Sequence, residues 1–160
     1  MKRALIAAII LTIGASVWAA SPAITNGVHP GLFELGLNIG QPSGISLKVW
    51  IDKNGAVEGL AAWDFNAVEF VASLDYLFTF PDILKLQTTS FPLFVGVGGF
   101  AQIGTGSTPT IGLRVPLGIL FVFARAPIEI QLDVVPGMTV YPATKPVLMG
   151  GFAIRYCFGG

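Results

Sequence analysis

The sequence predicts an all-β protein: an eight-stranded antiparallel transmembrane β-barrel in up-and-down meander order, preceded by a signal peptide. Hydrophobic residues make up 53% of the 160 residues. After the N-terminal leader, however, Gly, Pro or a charged residue interrupts every apolar run, and none reaches the roughly 20 residues that a transmembrane helix requires. A transmembrane strand requires only about 9–11 residues, and the interruptions recur at that spacing. High apolarity without long apolar runs therefore favours membrane strands.

The last segment, residues 147–158, indicates which way the strand faces point. One of its faces is apolar and ends in two aromatic residues: Phe152, Ile154, Tyr156 and Phe158. The other face carries small or charged residues: Gly151, Ala153, Arg155 and Cys157. Similar apolar faces recur in nearly every predicted strand and are too large and uniform for a soluble sandwich of this length. The other consistent geometry turns the apolar faces into lipid and the polar faces into a closed barrel, in which the last strand pairs with the first.

Residues 1–19 have the three parts of a secretory signal peptide. A basic start, Met1-Lys2-Arg3, precedes an apolar core over residues 4–17, and Val17 and Ala19 place small residues before a cleavage site. We expect cleavage after Ala19, which leaves residues 20–160 as a single barrel domain. The alternative is an uncleaved helical anchor, and the short apolar core favours cleavage.

The first four strands are predicted at residues 32–40, 45–51, 56–65 and 68–79. Residues 41–44 (Gln-Pro-Ser-Gly) have the composition of a turn, and Asn54-Gly55 is a strong hairpin signal because a tight turn needs positive φ angles. Residues 81–90 are predicted as the longest connection, with one helical turn over residues 82–86.

The last four strands are predicted at residues 93–103, 111–121, 128–134 and 147–158. Pro116 lies inside the sixth strand and cannot donate a hydrogen bond to a neighbour. Since a closed barrel has no edge at which Pro is harmless, we expect a bulge there. Pro136-Gly137 is expected to bend the seventh strand. Eight is an even number, as both termini on one side require.

Charged residues share the inward parity of these strands. Seven acids and three bases form a predicted lumen charge network: Glu34, Lys48, Glu58, Asp64, Glu69, Asp75, Arg114, Glu129, Asp133 and Arg155. Slipping a strand by one residue would move its charges into lipid, where a basic residue at the midplane costs about 2–4 kcal/mol. We expect Arg114 and Arg155 each to hold carboxylates from across the lumen by bidentate hydrogen bonds. Because three bases cannot pair seven acids, some acids must lie near the wet ends, share protons or bind a cation.

No cofactor, metal site or catalytic residue is predicted. No Cys/His cluster has metal-ligand spacing, and a carboxylate–arginine network is a better explanation of the inward acids than a Ca²⁺ site. The single histidine, His29, precedes the first strand, out of reach of an inward nucleophile, which argues against a lipid-modifying enzyme. The lone cysteine, Cys157, is interpreted as a small inner-face residue, the alternative being a disulfide with another chain.

Three segments, Asp75–Leu77, Phe91–Gly99 and Leu113–Gly118, resemble a family of small bacterial outer-membrane β-barrels, similar in build to those of the OmpA and OmpX type. The resemblance extends over roughly residues 31–158. It implies a location in the bacterial outer membrane, with outer-membrane lipid as surroundings and barrel-assembly machinery and periplasmic chaperones as partners during biogenesis. Tyr156 and Phe158 are similar to the aromatic C-terminal insertion signal of such proteins, although two glycines follow here. The resemblance implies no substrate.

Two functions remain open at this stage. Eight strands enclose an interior just wide enough for side chains to fill, which favours a structural or surface-interaction protein with a filled lumen, expected as a monomer. The alternative is a narrow, weakly cation-selective pore. After cleavage the chain keeps seven basic and nine acidic residues, a formal charge of −2, which excludes a strongly basic nucleic-acid binder.

The leader generates the first prediction. The mature protein should begin at Ala20, because the basic start, the apolar core and the small residues before the site occur together. Intact-mass measurement of the membrane-extracted protein tests this. A species that retains Met1 or begins beyond Ser21 contradicts the assigned site.

Overall fold

The structure, a computed structural model, describes residues 32–64, 69–86, 89–104, 108–123 and 126–158. The predicted signal peptide, His29 and the two C-terminal glycines lie outside these ranges, so the expectations about them stay predictions. No helix in the described ranges has the length and apolarity needed to cross a membrane.

The described residues form an all-β meander of nine antiparallel strands. They are β1 Phe33–Gln41, β2 Ser43–Trp50, β3 Gly55–Asp64, β4 Glu69–Leu86, β5 Thr89–Gly104, β6 Thr110–Arg114, β7 Leu117–Val122, β8 Ile128–Tyr141 and β9 Lys145–Phe158. The predicted all-β class and antiparallel order are confirmed. Nine strands are described where eight were predicted, because the sixth predicted strand is divided into β6 and β7.

The strand pairings form a closed circuit. Each strand from β1 to β5 pairs with the next, β6 and β7 both pair with β5 and β8, and β8 pairs with β9. The last strand pairs with the first, as predicted, from Phe33 opposite Phe158 to Gln41 opposite Gly150. The pairings of the described strands therefore lead from β1 through its neighbours to β9, and from β9 back to β1.

Pro116 divides β6 from β7 without changing the register. The last β6 pair, Arg114 with Gly98, and the first β7 pair, Leu117 with Val95, are three positions apart on both strands. The Pro116 carbonyl still accepts a hydrogen bond from Gly96 N at 2.7 Å. The bulge predicted at Pro116 is therefore wrong, because the strand loses only the hydrogen bond that proline cannot donate. The register shift against β8 lies between Ile111 and Gly112 instead.

The described residues of the segment 81–90, namely 81–86 and 89–90, are strand, so the predicted connection with a helical turn is wrong. β4 continues to Leu86 and β5 begins at Thr89, and the two strands pair along this extension. A register shift between Phe80 and Leu84 places two extra residues on β4, as in a bulge. Pairing with β5 gives hydrogen-bond partners to the backbone N–H and C=O groups of this segment, which in a helical turn would bond within the segment itself. β8 likewise runs on through Pro136-Gly137, beyond the predicted end of the seventh strand.

The two faces of the sheet differ as the alternation predicts. On β4, Leu74 is 64% exposed whereas Val71 is 4% exposed. We call the face of Leu74 the outer face; it carries exposed apolar side chains on most strands, such as Leu37, Ile45, Leu113, Leu132 and Leu148. The opposite, inner face carries buried charged side chains, such as Glu34, Lys48, Glu58, Asp75, Arg114, Glu129 and Arg155.

Side-chain contacts show that the inner face is concave. Lys48 Nζ on β2 lies 2.6 Å from Glu129 Oε1 on β8, although β2 and β8 are not neighbours in the sheet. We call the end of the sheet that holds Leu32 and Phe158 the terminal end. The opposite end holds the one-residue β1–β2 turn at Pro42 and the β8–β9 turn over residues 142–144.

Candidate functional site

The centre of the inner face is organised around Arg155, which is 1% exposed. Its Nε donates to Ser46 Oγ at 2.8 Å, and its two terminal nitrogens donate to Glu129 Oε1 at 3.0 Å, to Gln131 Oε1 at 2.9 Å and to Glu58 Oε1. Arg155 thus joins β9 to β8 and, across the inner face, to β2 and β3. Arg155 holds two carboxylates, as expected, but it donates to one oxygen of each rather than forming the predicted bidentate contacts, because its planar fork reaches carboxylates on two different strands.

Lys48 extends this cluster towards the terminal end. Its Nζ contacts both carboxylate oxygens of Glu129, at 2.6 and 2.8 Å, and lies 3.8 Å from Glu34 Oε2 and 4.4 Å from the centre of the Trp50 ring. Trp50 Nε1 donates to Glu34 Oε1 at 2.6 Å. Two cations, Lys48 and Arg155, therefore serve three buried carboxylates. We call the two cations and the three carboxylates, together with Ser46 and Gln131, the ion-pair cluster; its members are Glu34, Ser46, Lys48, Glu58, Glu129, Gln131 and Arg155.

Arg114 and Asp75 form a second, separate pair. Arg114 Nε donates to Asp75 Oδ1 at 2.8 Å, and its terminal nitrogen donates to Oδ2, so this contact is bidentate. The two residues lie on β6 and β4, and both are register partners of Gly98 on the intervening β5. A Cβ at Gly98 would lie 2.0 Å from Asp75 Oδ1. Glycine is therefore required at this position for the ion pair to cross β5.

Asp133 and Glu69 have no cationic partner among the described residues. Asp133 Oδ1 accepts from Gly151 N at 2.8 Å, and its Oδ2 accepts from Gln131 Nε2 at 3.0 Å. Glu69 lies apart from the cluster and accepts from Gln102 Nε2. The side chain of Asp64 lies outside what the structure describes.

Apolar side chains fill the inner face at the terminal end. This apolar cluster consists of Leu32, Trp50, Ala56, Leu77, Phe94, Leu120 and Cys157. Cys157 is a free thiol buried within it, on the inner face. Phe158 lies beside Tyr156, with ring centroids 4.7 Å apart, and beside Phe33 at 5.8 Å. Every member of this apolar cluster is at most 4% exposed.

Three contributors to the site were missing from the predicted network. Ser46, Gln131 and Trp50 are buried and hydrogen-bond its charged members. Their inward parity was visible in the sequence, and they were missed because charge was the criterion for membership. Among the described residues, no group of three or more His, Cys, Asp or Glu side chains is arranged to hold a metal ion.

Comparison with known proteins gives a family and no function. A family model described as "Protein of unknown function (DUF3996)" matches residues 24–160. The chain belongs to this family. No curated protein and no solved structure matches the chain. Because the description of the DUF3996 family states no activity, the resemblance to small outer-membrane barrels stays a prediction.

The ion-pair cluster generates a stability prediction. Arg155→Met keeps an apolar stem but leaves Glu58 and Glu129 without their shared cation, which should lower the free energy of unfolding by about 3–5 kcal/mol. Lys145→Met is the matched control, because Lys145 is an exposed cation on the same strand, and it should change stability by less than about 0.5 kcal/mol. Urea denaturation of the refolded proteins, followed by tryptophan fluorescence, measures both. Equal effects of the two substitutions would show that the cluster does not hold the strands together.

Proposed function

We propose that this DUF3996 protein is an integral protein of the bacterial outer membrane, an eight-stranded β-barrel with a filled lumen and a structural or surface-interaction role. The observation that carries the proposal is the inverted polarity of its two faces. Leu37, Leu74 and Leu148 are 60%, 64% and 71% exposed, whereas charged side chains are buried on the opposite face. A water-soluble protein rarely exposes so large an apolar surface, but a membrane barrel presents apolar residues to lipid and polar residues to its interior.

The pairing pattern supports a barrel of eight strands. In this interpretation β6 and β7 are two halves of one strand, because they share both neighbours and one register. The β1–β9 and β4–β5 pairings then leave no open sheet edge. Closure matters in lipid, since an unpaired edge would leave backbone groups without hydrogen bonds.

The packing of the inner face supports a structural role over transport. The apolar cluster and the ion-pair cluster together occupy the interior from the terminal end to the middle of the strands. An eight-stranded barrel has just enough interior for such side chains, and none to spare for a continuous water channel. The protein would then anchor a rigid body in the membrane and present its ends to partners.

A second candidate is a narrow, weakly cation-selective pore. The observation that favours it is the charge of the inner face, where Asp133 and Glu69 have no cationic partner among the described residues. A negatively lined constriction favours cations. Opening such a pore would require the apolar cluster to move.

The proposed biogenesis follows from the location. A cleaved signal peptide would deliver the chain to the periplasm, where chaperones and the barrel-assembly machinery would receive it. Tyr156 and Phe158 would act as the C-terminal insertion signal, and the protein would insert as a monomer without cofactor or catalytic activity.

The face assignment can be tested on one strand. Leu74→Arg should block insertion into lipid vesicles or cost about 2–4 kcal/mol, because the guanidinium would enter the bilayer. Val71→Thr is the matched control on the inner face, and its effect should be mild. The gel-mobility difference between unboiled and boiled samples reports folding. If Val71→Thr is the more damaging change, the faces are assigned the wrong way round.

Conductance separates the two candidate functions. The wild-type protein in a planar bilayer should show no steady conductance. Trp50→Ala/Leu120→Ala, which removes two fully buried side chains of the apolar cluster, should introduce a cation-selective leak. Trp63→Ala is the control, because Trp63 lies on the outer face and is 49% exposed.

Conductance recordings of the wild-type protein alone distinguish the two candidate functions. Steady cation selectivity in the wild-type protein would replace the structural role by the pore. Steady anion selectivity would contradict both functions.

A further inference from the structure

The inner face contains a cavity at the opposite end with two adjoining compartments. The outer compartment measures about 180 Å³, and its lining combines the apolar residues Val71, Phe100, Val147 and Met149 with Gln41 and Gln102. The inner compartment measures about 20 Å³, and its lining combines Leu60, Pro116 and Val135 with the polar residues Asn38, Glu58, Asp75, Arg114, Gln131 and Asp133. Gln41, Pro42 and Met149 line both, so the two compartments lie side by side.

The two volumes limit what this cavity can hold. An apolar cavity of about 150 Å³ is large enough to bind benzene, so the outer compartment accommodates a body of one six-membered ring. The inner compartment has room for about one water-sized group, which requires 10–15 Å³ or more. A fitting ligand therefore has a ring-sized apolar body and one small polar head.

The charges around the inner compartment determine the sign of that head. Arg114 is occupied by Asp75, and Arg155 is occupied by Glu58 and Glu129. The Asp133 carboxylate accepts only from neutral donors, the Gly151 amide and the Gln131 side chain. It therefore leaves one formal negative charge facing the compartment without a cation.

Asn38 places a hydrogen-bond acceptor on the same wall, which also favours a cationic head. Asn38 Nδ2 donates to the carbonyl oxygen of Pro42 at 2.8 Å, which leaves Asn38 Oδ1 as an acceptor. An ammonium group has three donors and no acceptor. It thus matches a compartment that offers a carboxylate and an amide oxygen, whereas a carboxylate head would meet like charge.

We propose that this cavity binds a small organic cation: a primary ammonium carried on an apolar, ring-sized body. The ammonium lies against Asp133 in the inner compartment, and the apolar body lies against Val71 and Phe100 in the outer one. This binding site goes beyond the structural role and does not depend on whether the protein conducts ions.

The methionines of the protein make the proposal measurable. Met138 and Met149 are the two methionines that follow the leader. Met149 lines both compartments, and Met138 is 44% exposed on the outer face. In refolded protein with ¹³C-labelled methionine methyl groups, held in neutral maltoside micelles, Met149 reports the cavity and Met138 reports probe that merely partitions into the micelle.

Three probes of similar size distinguish the charge preference. Benzylammonium should shift the Met149 signal saturably, with a Kd about tenfold or more below that of benzyl alcohol, because a hydrogen bond to a charged group is stronger than one between neutral groups. Phenylacetate should bind most weakly. The Met138 signal should shift in proportion to probe concentration without saturating. Equal affinities for the three probes, a preference for phenylacetate, or saturation at Met138 alone would overturn the proposal.

Two variants locate the bound probe. Asp133→Asn should raise the Kd for benzylammonium about tenfold, to that for benzyl alcohol, and leave the benzyl alcohol value unchanged. Val71→Phe fills the outer compartment and should abolish the saturable response to both. Unchanged benzylammonium binding in either variant would overturn the site. If Asp133→Asn does not refold, Val71→Phe and the three-probe comparison on the wild-type protein still test whether the cavity binds the cation.

Discussion

The burial of Arg155 with Glu58 and Glu129 is the interaction on which the rest of the structure depends. The three residues lie on β9, β3 and β8, and the contact between β9 and β3 spans strands that do not pair with each other. A guanidinium buried without carboxylates would be strongly destabilising, so the cluster forms only when the sheet curves with this face inward. Since the side-chain period of a strand is two, the same contacts fix the register of all three strands.

The crowding of this face has consequences for backbone packing as well. A Cβ at Gly36 would lie 1.8 Å from the Ile154 carbonyl oxygen, on the pairing that joins β1 to β9. At Gly98 the absence of a Cβ likewise leaves room for the ion pair between Asp75 and Arg114. The large inner side chains are thus accommodated by glycines on neighbouring strands, and the cavity lies at the opposite end, where Val71 and Phe100 form part of its wall.

Most of the face assignment could be predicted from the sequence, because alternation is a local property of each strand. Leu74 and Val71, three residues apart, fall on the predicted faces. The partners of Arg155 could not be predicted, since they depend on how far each strand is staggered against residues many positions away. The division at Pro116 and the extension of β4 to Leu86 depend in the same way on which backbone groups the neighbouring strand offers. The cavity was missed because it results from side-chain volumes across the whole inner face.

The central claim, that the apolar outer face lies in lipid, is tested most directly by solvent accessibility along β8. Nitroxide labels at Leu132 and Val134, both 52% exposed on the outer face, would be compared in lipid nanodiscs with a label at Ala143 in the exposed β8–β9 turn. Cys157 would be replaced by Ala to leave a single label. Our account predicts that Leu132 and Val134 are accessible to oxygen and inaccessible to a water-soluble nickel complex, whereas Ala143 is accessible to the nickel complex. Equal access of the nickel complex to all three positions would contradict it.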